Sequence, residues 1–221
     1  WFRFHSLFGD FLRERLVLHD GARLATLHLR ASNWLMRNGD LIEAVRQALR
    51  AGDTAQAIIL IERAGSWRLI MTHGIHFVGN LLKLFTRETL DQHPLLLVVQ
   101  AYLDIKRGEW SNVRRCLDAV RSHTPTLSAN VKRCHVIVEA LFHTYLDEPD
   151  KREQMARLDA FATELDGDDR IAHATVDAIC AICAIALAEF DRAERYSRDG
   201  IDDMRADNCV VGITYCMFHL G

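Results

Sequence analysis

The chain has 221 residues, of which 49% are hydrophobic and 26% charged, with a formal net charge of −3, a balance that suits one or two globular domains with a real core. Residues 1–110 carry 14 basic and 11 acidic groups and residues 111–221 carry 13 and 19, so neither half has the dense basic stripe that gripping DNA requires. The longest apolar run, Ala178 to Leu187, falls well short of the ~18 residues of a membrane span, so no membrane partner is expected.

From the N-terminus, Trp1-Phe2-Arg3-Phe4 alternates like a strand, and the rest of the chain reads as helix. Phe4, Leu7, Phe8, Phe11 and Leu12 make one apolar face, Val98, Ala101, Tyr102 and Ile105 another, and Val131, Ile137, Val138, Leu141, Phe142 and Tyr145 a third. Only three prolines occur, and none interrupts these patterns. The spacing predicts roughly eleven helices with short loops and no sheet. A chain that opens on Trp1 without an initiator methionine or a signal-peptide pattern is expected to be a piece of something longer.

One local pattern recurs: a small residue, an acid, then a small apolar residue four positions further on. It reads Gly39-Asp40-Leu41-Ile42-Glu43-Ala44, Gly108-Glu109-Trp110-Ser111-Asn112-Val113 and Ala188-Glu189-Phe190-Asp191-Arg192-Ala193, with a looser copy at Gly52-Asp53-Thr54-Ala55-Gln56-Ala57. Seven residues before the first position stand Ser32, Ala101 and Ala181, all small. A helix–turn–helix repeat needs these features: a small residue where the helices cross, a left-handed residue ending the first helix, and an acid at the positive start of the second. The pattern resembles the tetratricopeptide repeat. The spacing from Gly108 to Ala188 leaves room for a middle unit that joins helix 126–147 to helix 151–165 through Asp147-Glu148-Pro149-Asp150. Continued to the end, the register puts Gly221 where a first helix stops and Thr214 at the small position. Exposed apolar surface is then expected from Tyr215 to Leu220, the next helix being absent. The expected fold is all-α, a right-handed superhelix of tetratricopeptide-like helix–turn–helix repeats, an α-solenoid.

No constellation argues for chemistry. Cys180-Ala181-Ile182-Cys183 sits in an apolar helix, and the six cysteines read as reduced, buried thiols in a cytoplasmic protein. His73-Gly74-Ile75-His76 lacks a nearby carboxylate, and its glycine marks a helix boundary, so no metal site is assigned. Asp166-Gly167-Asp168-Asp169 lacks the downstream glutamate of a calcium loop and reads as a connection. Trp34, Trp67 and Trp110 read as core. No nucleophile elbow, His-Glu-x-x-His or Gly-rich phosphate loop occurs, so no catalytic residue is named and no enzymatic activity of this segment is expected. A ligand is expected on the concave face of the superhelix, where first helices line a groove.

Residues 1–16 read Trp-Phe-Arg-Phe-His-Ser-Leu-Phe-Gly-Asp-Phe-Leu-Arg-Glu-Arg-Leu. This resembles the aromatic-Arg-Phe-His-Pro-Leu-Phe segment that closes the winged-helix part of MalT-type regulators, the large ATP-binding members of the LuxR family. Ala31 to Ala57 and Pro94 to Val113 resemble the helical run and first full repeat that follow it in that family. The resemblance implies a winged-helix remnant at 1–19, a helical linker at 20–93 and tetratricopeptide-like repeats at 94–221. It implies a sensor or protein-interaction segment that binds a small-molecule inducer or regulatory protein. A nucleotide-binding domain for ATP or ADP would precede it and a DNA-binding helix-turn-helix would follow it, both outside this chain. His5 then matches a histidine that contacts bound ADP, a cofactor role only in the intact protein. Ser6 stands where the family pattern has proline, and as an N-cap residue it keeps the helix start. The alternative reading is a general peptide-binding scaffold of tetratricopeptide-like repeats.

Overall fold

The computed structural model describes residues 5–146 and 150–220, and within them all regular structure is helical. Trp1 to Phe4, Asp147 to Pro149 and Gly221 lie outside the described residues, and with them the strand-like start and most of the expected Asp147–Asp150 connection. Two compact units divide the chain between Ser66 and Trp67.

The first unit holds three helices: α1 (Ser6–Arg37), α2 (Leu41–Arg50) and α3 (Thr54–Arg63). α1 breaks at Asp20, whose carboxylate then accepts from the Arg23 N–H at 2.9 Å and starts the second stretch. His5, and not Ser6, occupies the N-cap of α1. The helical bonds begin one residue earlier than the sequence suggests, with the Gly9 N–H on the His5 carbonyl. Leu7, Phe8, Phe11 and Leu12 are exposed, so the expected core face of this segment is not buried in its own unit. The core of the unit is the close crossing of α1 and α2. Ser32 is fully buried and donates to the Ala44 carbonyl at 2.8 Å, and Ala44, Val45 and Ala48 pack without solvent contact.

The second unit begins with α4 (Leu69–Leu82), broken at Gly74 where φ is 84°, and α5 (Arg87–Gln92). Three helix pairs follow: α6 (Pro94–Arg107) with α7 (Trp110–Ser122), α8 (Ala129–Tyr145) with α9 (Lys151–Ala162), and α10 (Arg170–Ala186) with α11 (Phe190–Ala206). The last helix is α12 (Val210–Phe218). In the middle pair α8 starts three residues later than the periodicity predicts, where Ser128 caps it by accepting from the Val131 N–H, whereas α9 starts at Lys151 as predicted, capped by Asp150 through the Arg152 N–H, and ends three residues early at Ala162. First helices touch first helices: α4 packs on α6, α6 on α8, α8 on α10 and α10 on α12.

The same turn follows five of the described helices, α1, α2, α6, α10 and α11. At Gly108 the backbone is left-handed (φ 74°), the Gly108 N–H bonds the Ile105 carbonyl at 3.2 Å, and the Glu109 N–H bonds the Asp104 carbonyl at 2.9 Å. These two hydrogen bonds satisfy carbonyls at the end of the helix. The identical arrangement occurs at Gly39, Gly52, Ala188 and Asn208. The Asn208 copy has no acid after it, which is why the sequence pattern passes over it. Asp40 and Asp53 cap the following helix by accepting from the N–H groups of Glu43 and Gln56. Glu109 and Glu189, one methylene longer, make no such bond, and Glu189 pairs instead with Arg192 and Arg152.

Ala101 and Ala181 are fully buried, as the small position of a crossing requires, but Thr214 is exposed and turns its hydroxyl back to the Val210 carbonyl. The packed stripe of α12 is Cys209, Gly212 and Cys216, spaced three and four apart. A residue two positions from each lies on the opposite side of a helix. Met217 and Phe218 are exposed, in keeping with the expected apolar end, whereas Tyr215 turns inward.

The second unit also closes on itself. α12 packs against α4, with the Cys209 thiol toward the Met71 carbonyl at 3.6 Å. Asp169 accepts from Arg68 through both carboxylate oxygens while capping α10 at Ala172. These contacts join residues more than 100 positions apart.

Ala188 holds its left-handed turn without the freedom of glycine, a conformation that costs an L-residue roughly 1–2 kcal/mol. Ala188→Gly should raise the free energy of unfolding in urea by about 0.5–1 kcal/mol, and Gly108→Ala should lower it by at least as much. At Asp169, substitution by Asn keeps a capping oxygen and loses the ion pair. Asp169→Ala loses both and should be the more destabilising by about 0.5–2 kcal/mol. Equal losses would show that the cap contributes nothing.

Candidate functional site

Among the described residues, the first helices of the second unit enclose a small cavity. Their inner side chains meet around a cavity of about 30 Å³, room for one water. Met71, Tyr102, Leu141, Met204 and Tyr215 are among the residues that line it. This cavity is too small for an inducer. The chain brings α12 back onto α4, and its own apolar residues occupy the interior.

Lys106 stands at this interior. Its ammonium lies 5.2 Å from the Tyr102 ring and 4.8 Å from the Tyr215 ring. Tyr102 is held from behind by Trp67, edge-on at 5.3 Å, and donates to the Met71 sulfur at 3.0 Å. Tyr215 shares a hydrogen bond with Tyr145 at 3.1 Å. Burial pushes the Lys106 ammonium down to about 8 from its ordinary 10.5.

A larger pocket of about 310 Å³ opens between α7, α8 and α9. Its apolar lining is Val136, Ala140 and Leu158. Arg121 of α7, Glu139 and His143 of α8, and Gln154 and Arg157 of α9 supply its polar groups. Arg121 pairs with Glu139 across the helices and with Asp118 on its own helix at 2.7 Å. Arg157 pairs with Glu153 one turn before it. Behind Glu139, at 3.9 Å, lies the His135 ring, whose burial pushes its pKa down although Glu139 pulls it up. Gln154 is 5% exposed, and its amide nitrogen donates to the Ala140 carbonyl at 2.8 Å and the Thr144 hydroxyl at 2.9 Å. Gln154 Oε1 and His143 Nδ1 are buried without a partner among the described residues.

Of the residues singled out from sequence, His5 is exposed at the start of α1, and its side chain makes no capping bond. Phe4, its neighbour in the motif, lies outside the described residues. Cys180 and Cys183 are fully buried free thiols, and burial pushes both pKa values up. His73 packs on the Phe77 ring at 4.6 Å and bonds Thr72. No group of three or more potential metal ligands occurs among the described residues. Trp67 is core, as expected, but Trp34 is 54% and Trp110 38% exposed. Trp34 is two residues from the buried Ser32 and so faces away from the crossing. Trp110 opens α7 and leans on the rings of Phe142 and Tyr145.

The sequence reading named neither Lys106 nor the pocket residues. A signal existed in α9, where Gln154 occupies the apolar stripe with Met155 and Leu158. In α6, Lys106 follows the apolar Tyr102 at four residues, on the same face.

No protein-family model matches the chain. A stretch of 63 residues, 28% of the chain, is 54% identical to the serine/threonine-protein kinase PknK of Mycobacterium tuberculosis, in strains CDC 1551 / Oshkosh and H37Rv, and of Mycobacterium bovis. That stretch spans 6% of the length of these curated relatives. No solved structure matches. No helix among the described residues is long and apolar enough to cross a membrane.

Because Lys106 loses its proton more readily in the fold than in the unfolded chain, its contribution to stability is full above about 10.5 and is lost as pH falls through 8. Lys106→Met removes this buried charge together with its ring contacts. The variant should be more stable than the parent by ~1–2 kcal/mol at pH 7, with the gap closing toward pH 10 in paired urea titrations.

Proposed function

We propose that this chain is the sensor and protein-interaction segment of a MalT-like regulator of the LuxR family. It binds an inducer or a regulatory partner and relays that event to ATP-binding and DNA-binding modules carried elsewhere on the same polypeptide. The observation that carries the reading is order. Phe4-His5-Ser6-Leu7, similar to the end of a winged helix, stands directly ahead of helix pairs joined by one repeated turn. The 63-residue likeness to a serine/threonine-protein kinase supports a place in signalling. The buried, non-nucleophilic thiols suit a segment that performs no chemistry in a cytoplasmic protein.

In this reading DNA is reached only through the separate helix-turn-helix. The exposed His5 imidazole donates a hydrogen bond to a phosphate of ADP bound by the neighbouring domain.

The test is to read the coding DNA on both sides of this segment. A Gly-rich lysine motif upstream and a helix-turn-helix downstream are the expected result. A protein kinase module in place of the DNA-binding one would overturn the transcription-regulator reading and assign the segment to a kinase. Absence of every such module would leave a peptide-binding scaffold. In the intact regulator, His5→Ala should weaken ADP binding about tenfold, as one lost charge-assisted hydrogen bond does.

A further inference from the structure

The second stretch of α1, from Gly21 to Arg37, buries one side against α2 and leaves the other in solvent. The solvent side is chemically regular. An exposed arginine recurs every seven residues, at Arg23, Arg30 and Arg37. Three residues after each of the first two stands an exposed uncharged polar residue, Thr26 or Asn33. Four residues after stands an exposed apolar one, Leu27 at 42% or Trp34 at 54%. Seven residues are two helical turns, about 10.5 Å, so the three arginines form one straight stripe about 21 Å long.

This stripe is not neutralised within the chain. No acid occurs between Gly21 and Arg37. Asp20, just ahead of the stretch, accepts from the Arg23 backbone N–H. None of the three guanidiniums makes an ion pair among the described residues. Other exposed helix faces balance their own charge, with Glu153 on Arg157 in α9 and Glu194 on Arg198 and Asp202 on Arg205 in α11. Unpaired arginines beside an exposed tryptophan have the composition of an interface centre.

The spacing selects the partner. Three cations about 10.5 Å apart neutralise too few phosphates to hold a nucleic acid. Two apolar side chains with Thr26 and Asn33 beside them are too narrow a band to enter a lipid interface. A second helix repeats on the same seven-residue period. Packed at about 20° to α1, it stays in register with all three arginines and with both apolar residues between them.

We propose that this face of α1 docks an acidic amphipathic helix of a partner protein. Acids of that helix, one per heptad, pair with Arg23, Arg30 and Arg37, and its apolar residues cover Leu27 and Trp34. The assignment rests on the reading of the chain as a protein-interaction segment, and it names the surface and the chemistry of the partner.

The probe is a synthetic helical peptide of three heptads, each with leucines and glutamates on one face, titrated calorimetrically into the 221-residue chain. Saturable binding is expected, weakened about tenfold by high salt. The same peptide with lysine for every glutamate should not bind. Arg30→Glu and Trp34→Ala should each weaken binding about tenfold or more and, both side chains being exposed, leave the melting temperature of the free chain unchanged. Arg50→Glu, an exposed arginine on α2 away from this face, should bind as the parent does. No binding of the glutamate peptide, equal binding of the lysine peptide, or as large a loss in Arg50→Glu as in Arg30→Glu would overturn the assignment. So would self-association of the chain through this face, or tighter binding to anionic vesicles or single-stranded RNA than to the peptide. If the flanking DNA holds the expected modules and the peptide does not bind, the assignment alone falls. If the peptide binds and the modules are absent, the regulator reading falls and the docking face stands.

Discussion

One left-handed turn, repeated after five of the described helices, constrains the packing of this molecule. A helix ends with carbonyls that need donors, and a single left-handed residue lets the next two N–H groups reach back to them. Because the same two bonds form at Gly39, Gly52, Gly108, Ala188 and Asn208, the chain reverses in the same way each time. A fixed reversal brings the two helices that it joins together at a fixed place. That place is where Ala101 and Ala181 are fully buried and where Ser32 turns its hydroxyl to the Ala44 backbone. The repeat is thus a property of backbone hydrogen bonding first and of side chains second.

Repetition of such pairs would ordinarily extend a solenoid with an open inner surface. In the second unit the inner helices come back on themselves, and α12 lies against α4. The Arg68–Asp169 pair serves this closure from the outside, and the Met71, Tyr102, Lys106 and Tyr215 cluster serves it from the inside. The rings of Tyr102 and Tyr215 offset only part of the cost of burying the lysine cation, and Trp67 backs Tyr102 edge-on. With the inside filled, the larger opening lies in a cleft between neighbouring pairs. The pocket between α7, α8 and α9 is such a cleft.

Around Lys106 the Tyr102 and Tyr215 hydroxyls have partners, whereas Trp67 Nε1 is buried without one, as are Gln154 Oε1 and His143 Nδ1 beside the other pocket. What separates the two regions is volume, about 30 Å³ against about 310 Å³.

The sequence by itself determined the helical class, the first four reversals and the burial of Ala101, Ala181, Cys180 and Cys183. These follow from local rules: helical periodicity, the backbone freedom of glycine, and the acid at a helix start. The acid rule was less general than the pattern implied, since only the aspartates cap. Tertiary structure alone decided the closure of α12 onto α4, the Arg68–Asp169 pair, the exposure of Trp34, Trp110 and the start of α1, and the pocket. Each of these joins or exposes residues according to the rotation of one helix against another. That rotation sums small packing choices over many residues, and no short window of sequence records it. Thr214 shows the limit in one residue: its spacing was right for a repeat, and the face it landed on was set by the helix beneath it.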